Sequence, residues 1–224
     1  MSEEKLPGNQ SVEALRVWSG RRLNPDRWRV IEANLGDSYL DVGCGNGIYV
    51  DQIAGRVRAL GVDINEYDSW AERPGLFQTA DATALPFDDD YFDTVSCFEV
   101  IEHISDPARV VRELARVARK NVIVTVPNCA LPEYLRQSGL SFYHFTDRSH
   151  VNFFDLDALR KLLESAGLEV SECRLINRCN LVPMLTELSI LPGRLVGWLS
   201  RLLLRKQMYM TCLAVGRVKT SSLS

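Results

Sequence analysis

YLDVGCGNG, residues 39 to 47, is the stretch that decides how the rest of this 224-residue chain is read. A short apolar run from Tyr39 to Val42 carries an acid at Asp41, then gives way to three glycines, Gly43, Gly45 and Gly47, alternating with Cys44 and Asn46. Glycine tolerates positive φ and lets the backbone come close to a ligand. A strand that ends in such a loop and opens into a helix is a ligand-binding turn of an α/β sheet.

Two details point away from a dinucleotide. The G-x-G-x-x-G fingerprint requires a third glycine, and counting from Gly43 that position is Ile48. A carboxylate at Asp41 would repel a pyrophosphate, whereas it suits a ligand carrying a positive ammonium and sulfonium, as S-adenosylmethionine does. A nicotinamide-dependent oxidoreductase is therefore the disfavoured reading. The stretch resembles the first motif of the class I S-adenosylmethionine-dependent methyltransferases. The similarity continues through ALGVDIN (59–65) and DATALPFDDDYFDTVSCFEVIEHI (81–104), and covers roughly Tyr39 to Val170.

The resemblance implies a Rossmann-like, doubly wound α/β fold with a seven-stranded sheet, mostly parallel with an antiparallel edge strand. It places Asp41, Gly43, Cys44 and Gly45 on the methionine side of the cofactor. Asp63 takes the ribose hydroxyls with Ile64 beside it, Asp81 and Ala82 meet the adenine, and Phe98 lies near the cofactor at the end of the fourth strand. On substrate it is nearly silent.

The pattern of the chain agrees with alternating strands and helices. Strands are expected at Ser38–Val42, Ala59–Val62, Leu76–Thr79, Thr94–Phe98, Val122–Val126, Leu168–Ile176 and Tyr209–Val218. Asp106 followed by Pro107 starts a helix whose Val110, Val111, Leu114, Val117 and Ala118 recur at helical spacing. Asp155 caps a second helix that Gly167 ends. Val12 to Leu35 reads as one or two helices, so residues 1–35 form an N-terminal arm and 36–224 the methyltransferase domain. LPGRLVGWLSRLLLRK, 191–206, reads as an amphipathic helix within that domain.

Net charge of −3 gives no general pull toward nucleic acid. The start, MSEEKLPGNQ, lacks a basic stretch followed by an apolar run, and the six cysteines include no C-x-x-C pair. The expectation is a cytoplasmic protein with reduced thiols. Arginines nevertheless concentrate between Arg16 and Arg29 and again from Arg194 to Lys206.

Methyl transfer needs a nucleophile held in line with the S–CH3 bond and a base for its proton. Three histidines follow the fourth and fifth strands, where open α/β sheets bind ligands. His103 and His150 are the candidate bases, with Asp147 placed to orient an imidazole. In EVIEH, Glu99, Glu102 and His103 could form a Mg²⁺ site. The segment looks like the metal-binding stretch of ubiquinone-biosynthesis O-methyltransferases and of RNA 3′-end 2′-O-methyltransferases, where His150 could complete the set. A purely structural role for EVIEH is the alternative. Phe142, Tyr143, Phe145, Phe153 and Phe154 either wall a substrate pocket or fill the core beneath a long connection. The helix at 191–206 either packs or touches a membrane surface peripherally. The leading reading is a methyltransferase acting on a small molecule, at a hydroxyl oxygen. A catalytically silent binding or partner subunit and an RNA or lipid-linked substrate are the alternatives.

Overall fold

In the computed structural model, which describes residues 23–138, 141–179, 182–187, 192–203 and 208–219, the glycine-rich stretch leaves the end of a central strand. That strand, β1 (Ser38–Val42), is flanked by β2 (Arg58–Asp63) and β4 (Phe92–Phe98), with β3 (Phe77–Thr79) beyond β2. On the other side come β5 (Ala118–Pro127), β7 (Tyr209–Arg217) and, at the edge, β6 (Glu169–Arg178). The order β3-β2-β1-β4-β5-β7-β6 is parallel except for β7, which runs antiparallel to both neighbours. The expected sheet is present, and its antiparallel strand is threaded between β5 and the edge.

Side chains on successive strand residues point to opposite faces, and both faces here are covered. Leu40, Val95, Cys97, Val122 and Val124 form one core layer, packed with Val110, Val111 and Leu114 of α3 (Pro107–Val117) and Leu159 and Leu163 of α5 (Leu156–Ser165). Tyr39, Phe98 and Ile123 face the other way, toward Val30 and Ile31 of α1 (Pro25–Asn34) and Val50 and Ile53 of α2 (Ile48–Ile53). Asp106 and Asp155 cap α3 and α5 by accepting the amides of Arg109 and Ala158. Helix α3 stops at Val117, and Ala118 already belongs to β5, four residues before the expected start of that strand. The cap of α1 is Asn24, whose Oδ1 accepts the amides of Asp26 and Arg27. Of the expected arm over 1–35, residues 1–22 lie outside the described residues, as do 191 and 204–206 of the expected helix near the C-terminus.

Asp93 clips the amino end of the sheet. Its carboxylate is fully buried, accepts the amide of Asp37 at 2.7 Å and faces Arg119 at 2.6 Å and Lys120 at 3.2 Å. Burial pushes its pKa up, but that amide and the two cations outweigh it and hold the group below the usual aspartate value. Stability from this clip is present above the ordinary aspartate pKa and lost as pH falls through the depressed one. Asp93→Ala is expected to cost about 2–3 kcal/mol in urea unfolding at pH 7 and to flatten the acid limb of the stability curve. Among the described residues all six cysteines are free thiols, and no helix is long and apolar enough to cross a membrane.

Candidate active site

The loop after β1 is held from three sides. Gly43 and Cys44 donate their amides to the carbonyl of Val62 at the end of β2, at 2.8 and 3.0 Å. Gly43 has φ of 75°, and a Cβ there would lie 2.1 Å from Cγ2 of Val100. Gly45 has φ of 52° but faces open space, with nothing within 4 Å of where its Cβ would be. One glycine is thus required by packing and the other leaves room above the backbone. Gly45 donates its amide to Oδ2 of Asp63 at 3.0 Å, and its carbonyl accepts from the indole of Trp70 at 2.9 Å.

Asp63 also takes the amide of Asn65 on Oδ1 at 3.1 Å, so its two oxygens fix both turns and retain lone pairs for a further donor. Ile64, beside it, is 68% exposed, an isolated apolar surface at the carboxyl end of β2. Just after β3, Asp81 accepts the amide and hydroxyl of Thr83, both at 2.8 Å, which keep its pKa below the usual value. Ala82 beside it is half-buried.

Asp41 is placed differently from a carboxylate in open contact with ligand. It is 2% exposed behind the loop, and Ser96 donates its hydroxyl to Oδ1 at 2.6 Å while Tyr39 meets the same serine. Burial raises its pKa to about 7, against the pull of Ser96 and Arg27. Phe98 is likewise buried, with Tyr49 edge-on at 5.2 Å and the guanidinium of Arg27 over its ring at 5.1 Å.

EVIEH does not assemble as its spacing suggests, and the expected Glu99–Glu102–His103 set is corrected here. Glu99 lies outside the helical turn, at φ 55°, because its amide bonds the Thr125 carbonyl of β5 at 2.9 Å. Its Oε1 accepts from the Thr125 hydroxyl at 3.0 Å and from Arg27 at 2.5 Å. The 3-10 turn covers only Ile101–His103. Here Glu102, His103 and His150 come together, one ligand atom from each lying within 4.8 Å of the others.

The partner in this cluster is delivered by the long connection after β5. Val151 and Asn152 donate their amides to the Glu102 carbonyl, and the Asn152 side chain donates to the carbonyl of Ile104 at 2.6 Å. The His103 and His150 rings meet edge-on at 4.7 Å. Glu102 is 1% exposed with neither carboxylate oxygen hydrogen-bonded. Burial and the nearby Glu99 push its pKa to about 9. Asp147 Oδ1 takes both the amide and the hydroxyl of Ser149, at 2.9 and 2.6 Å, which keep Asp147 below the usual aspartate pKa. The Ser149 proton being spent there, its Oγ can only accept from His103 Nδ1, 3.0 Å away. The Ser149 carbonyl, 3.3 Å from the same nitrogen, is also an acceptor. Neutral His103 therefore carries its proton on Nδ1 and leaves the Nε2 lone pair free, 3.9 Å from Glu102. His144, by contrast, is a core residue whose pKa burial lowers to about 4.

One carboxylate and two imidazoles are not the oxygen-rich set that Mg²⁺ takes, and the second carboxylate is bound to Arg27. These residues do not fit Mg²⁺. The aromatic run divides: Phe142 and Phe154 are core, while Phe153 is exposed and stacks on Phe145 at 6.1 Å.

A family model described as a methyltransferase domain matches residues 20–172, most of the chain. The chain belongs to the methyltransferase-domain family. As a class I S-adenosylmethionine-dependent methyltransferase it is an enzyme whose cosubstrate is S-adenosylmethionine. This methyltransferase is 29% identical over 170 residues, 67% of its length and 73% of the other's, to a ubiquinone biosynthesis O-methyltransferase of Thiobacillus denitrificans. It is 28% identical over 180 residues to methyltransferase GfsG of Streptomyces halstedii, covering 74% of this chain and 64% of that one. A solved S-adenosylmethionine-dependent methyltransferase from Archaeoglobus fulgidus shares the fold, with a TM-score of 0.61 at 20% identity over 85% of this chain and 90% of that one.

Three residues of the methyltransferase site escape a reading of its sequence. Ser149 and Asn152 act through contacts made only by the folded connection. Arg27 had a signal: it shares a helix face with Val30 and Ile31, three and four residues on, and an arginine on an apolar face requires a buried partner.

Proposed function

We propose that the methyltransferase acts on a hydroxyl oxygen of a small molecule, with His103 as the base. The cosubstrate lies in the crevice at the carboxyl ends of β1 and β2. Its methionine end rests over Gly43, Cys44 and Gly45, its ribose on Asp63, and its adenine between Ile64 and the Asp81–Ala82 turn. The acceptor enters beyond β4, next to His103 and His150. In the transfer, the acceptor oxygen forms a bond to the methyl carbon as the S–C bond breaks. S-adenosylhomocysteine leaves as a neutral thioether, and the hydroxyl proton passes to His103 Nε2. The imidazolium so formed has Glu102 at 3.9 Å on one side and Asp147, through Ser149, on the other.

The observation that carries this reading is the fixed tautomer of His103, which leaves a lone pair at a buried, unpartnered carboxyl group. The relative named for ubiquinone biosynthesis O-methylation supports oxygen as the acceptor atom. RNA is disfavoured by the net charge of −3, and of the arginines from Arg16 to Arg29, Arg27 is buried against Glu99. The test is a screen of small hydroxylated acceptors with labelled cosubstrate, repeated with His103→Gln. Turnover is expected to fall about 100-fold or more with cosubstrate affinity unchanged. Full turnover in the variant, or label on nitrogen or carbon, would refute the proposal.

A further inference from the structure

Among the described residues, six large apolar side chains stand exposed: Ile64, Tyr91, Val151, Phe153, Leu195 and Trp198. Their placement is uneven. Tyr91 precedes β4 at the amino end of the sheet, where Arg58 lies over its ring at 4.4 Å. The other five are all at the carboxyl end. Ile64 follows β2, and Val151 and Phe153 belong to the connection that leaves β5. Leu195 and Trp198 lie on α7 (Gly193–Leu203), which packs beside α6 (Val182–Glu187). That helical pair departs from β6 at Arg178 and returns at Tyr209, which pair with each other, while Thr211 pairs with Pro127 at the carboxyl end of β5.

Ile64 is accounted for by the adenine in the reading above, which leaves Val151, Phe153, Leu195 and Trp198 exposed at that end. Packing explains only part of α7. Val196 is 6% exposed and is the residue turned inward, whereas Trp198 is 60% and Leu195 40% exposed, with Arg194 exposed beside them. The charge of α7 is one-sided: it carries Arg194 and Arg201 and no Asp or Glu, in a chain of net charge −3. An indole and aliphatic side chains next to arginine are the composition of a helix lying in a membrane interface. At eleven residues it is about 16 Å long, too short to span. A second copy is the poorer occupant, because an isologous contact would set these cations against themselves.

We propose that α7 seats the protein on an anionic phospholipid surface, with the carboxyl end of the sheet, where Val151 and Phe153 are also exposed, toward the bilayer. This does not depend on which acceptor is methylated. The test is co-sedimentation of the full chain with phosphatidylcholine vesicles, with and without phosphatidylglycerol, at low and high salt. Binding is expected only to the anionic vesicles and weakens with salt. The double variant Leu195→Ser/Trp198→Ser, and separately Arg194→Glu, lower it, the former about tenfold or more. S-adenosylhomocysteine binding and melting temperature stay unchanged. No binding at low salt, or undiminished binding by the double variant, overturns the proposal. So does a wild-type dimer that the double variant dissociates, since the occupant would then be a second copy.

Discussion

Replacing Glu102 with glutamine is expected to make the protein more stable, by a margin that grows as pH rises. Glu102 is buried with both oxygens unpartnered, and its pKa is raised from 4.5 to about 9. A group raised in the folded state contributes stability below its unfolded pKa, and that contribution is lost as pH climbs through the folded one. The native protein is therefore expected to weaken steadily from about pH 4.5 to 9. At pH 7 the cost of keeping this carboxyl protonated is on the order of 3 kcal/mol, and glutamine carries no such cost. Urea unfolding of Glu102→Gln at pH 6 and pH 8.5 should show a gain that grows with pH. Both side chains are neutral at pH 7, so turnover there should change little; only near pH 9, where the native carboxyl ionises, does the native enzyme gain a counter-charge for an imidazolium at His103 that the amide lacks. Lower stability than wild type at the higher pH would mean that the native carboxylate is ionised and satisfied by some partner, and the assignment of its role would fall.

Local rules made the sheet legible, while the site depended on contacts between distant segments. The β-branched run of β5, the cap at Asp106 and the glycines after β1 each encode their conformation within a few residues, so their outcome follows from steric and capping preferences. EVIEH misled because helical spacing was assumed through Glu99. A hydrogen bond to Thr125, on a strand more than twenty residues away, pulls that residue into the left-handed region instead. The meeting of His103 with His150 likewise depends on where the Asn152 amide and side chain dock, about fifty residues from their acceptors. Asp41 was legible as a carboxylate near the loop, but its burial behind Ser96 was not. Ser96 reaches it only because β4 pairs in register with β1, placing Asp41 opposite Ser96.

Removing the guanidinium of Arg27 should cost stability and cosubstrate affinity together, and a second substitution should separate the two. Arg27 is 4% exposed, pairs with Glu99 at 2.5 Å and covers Phe98. In Arg27→Met, Glu99 keeps only Thr125 as a side-chain partner among these contacts. Because Glu99 is partly exposed, the loss should be about 2–3 kcal/mol rather than the full penalty of a stranded buried charge. Glu99→Gln in the same background removes that charge and is expected to recover most of the stability. Affinity should not follow. Arg27 also draws the Asp41 pKa downward from the value burial would impose, and without it Asp41 ionises at higher pH. If ionised Asp41 supports the cationic cosubstrate, affinity rises between pH 6 and 8 in the native enzyme, and this rise moves to higher pH in both variants. Calorimetry across that range in wild type and the two variants reads the shift directly. A pH profile identical to wild type in both would show that Asp41 and Arg27 serve packing alone.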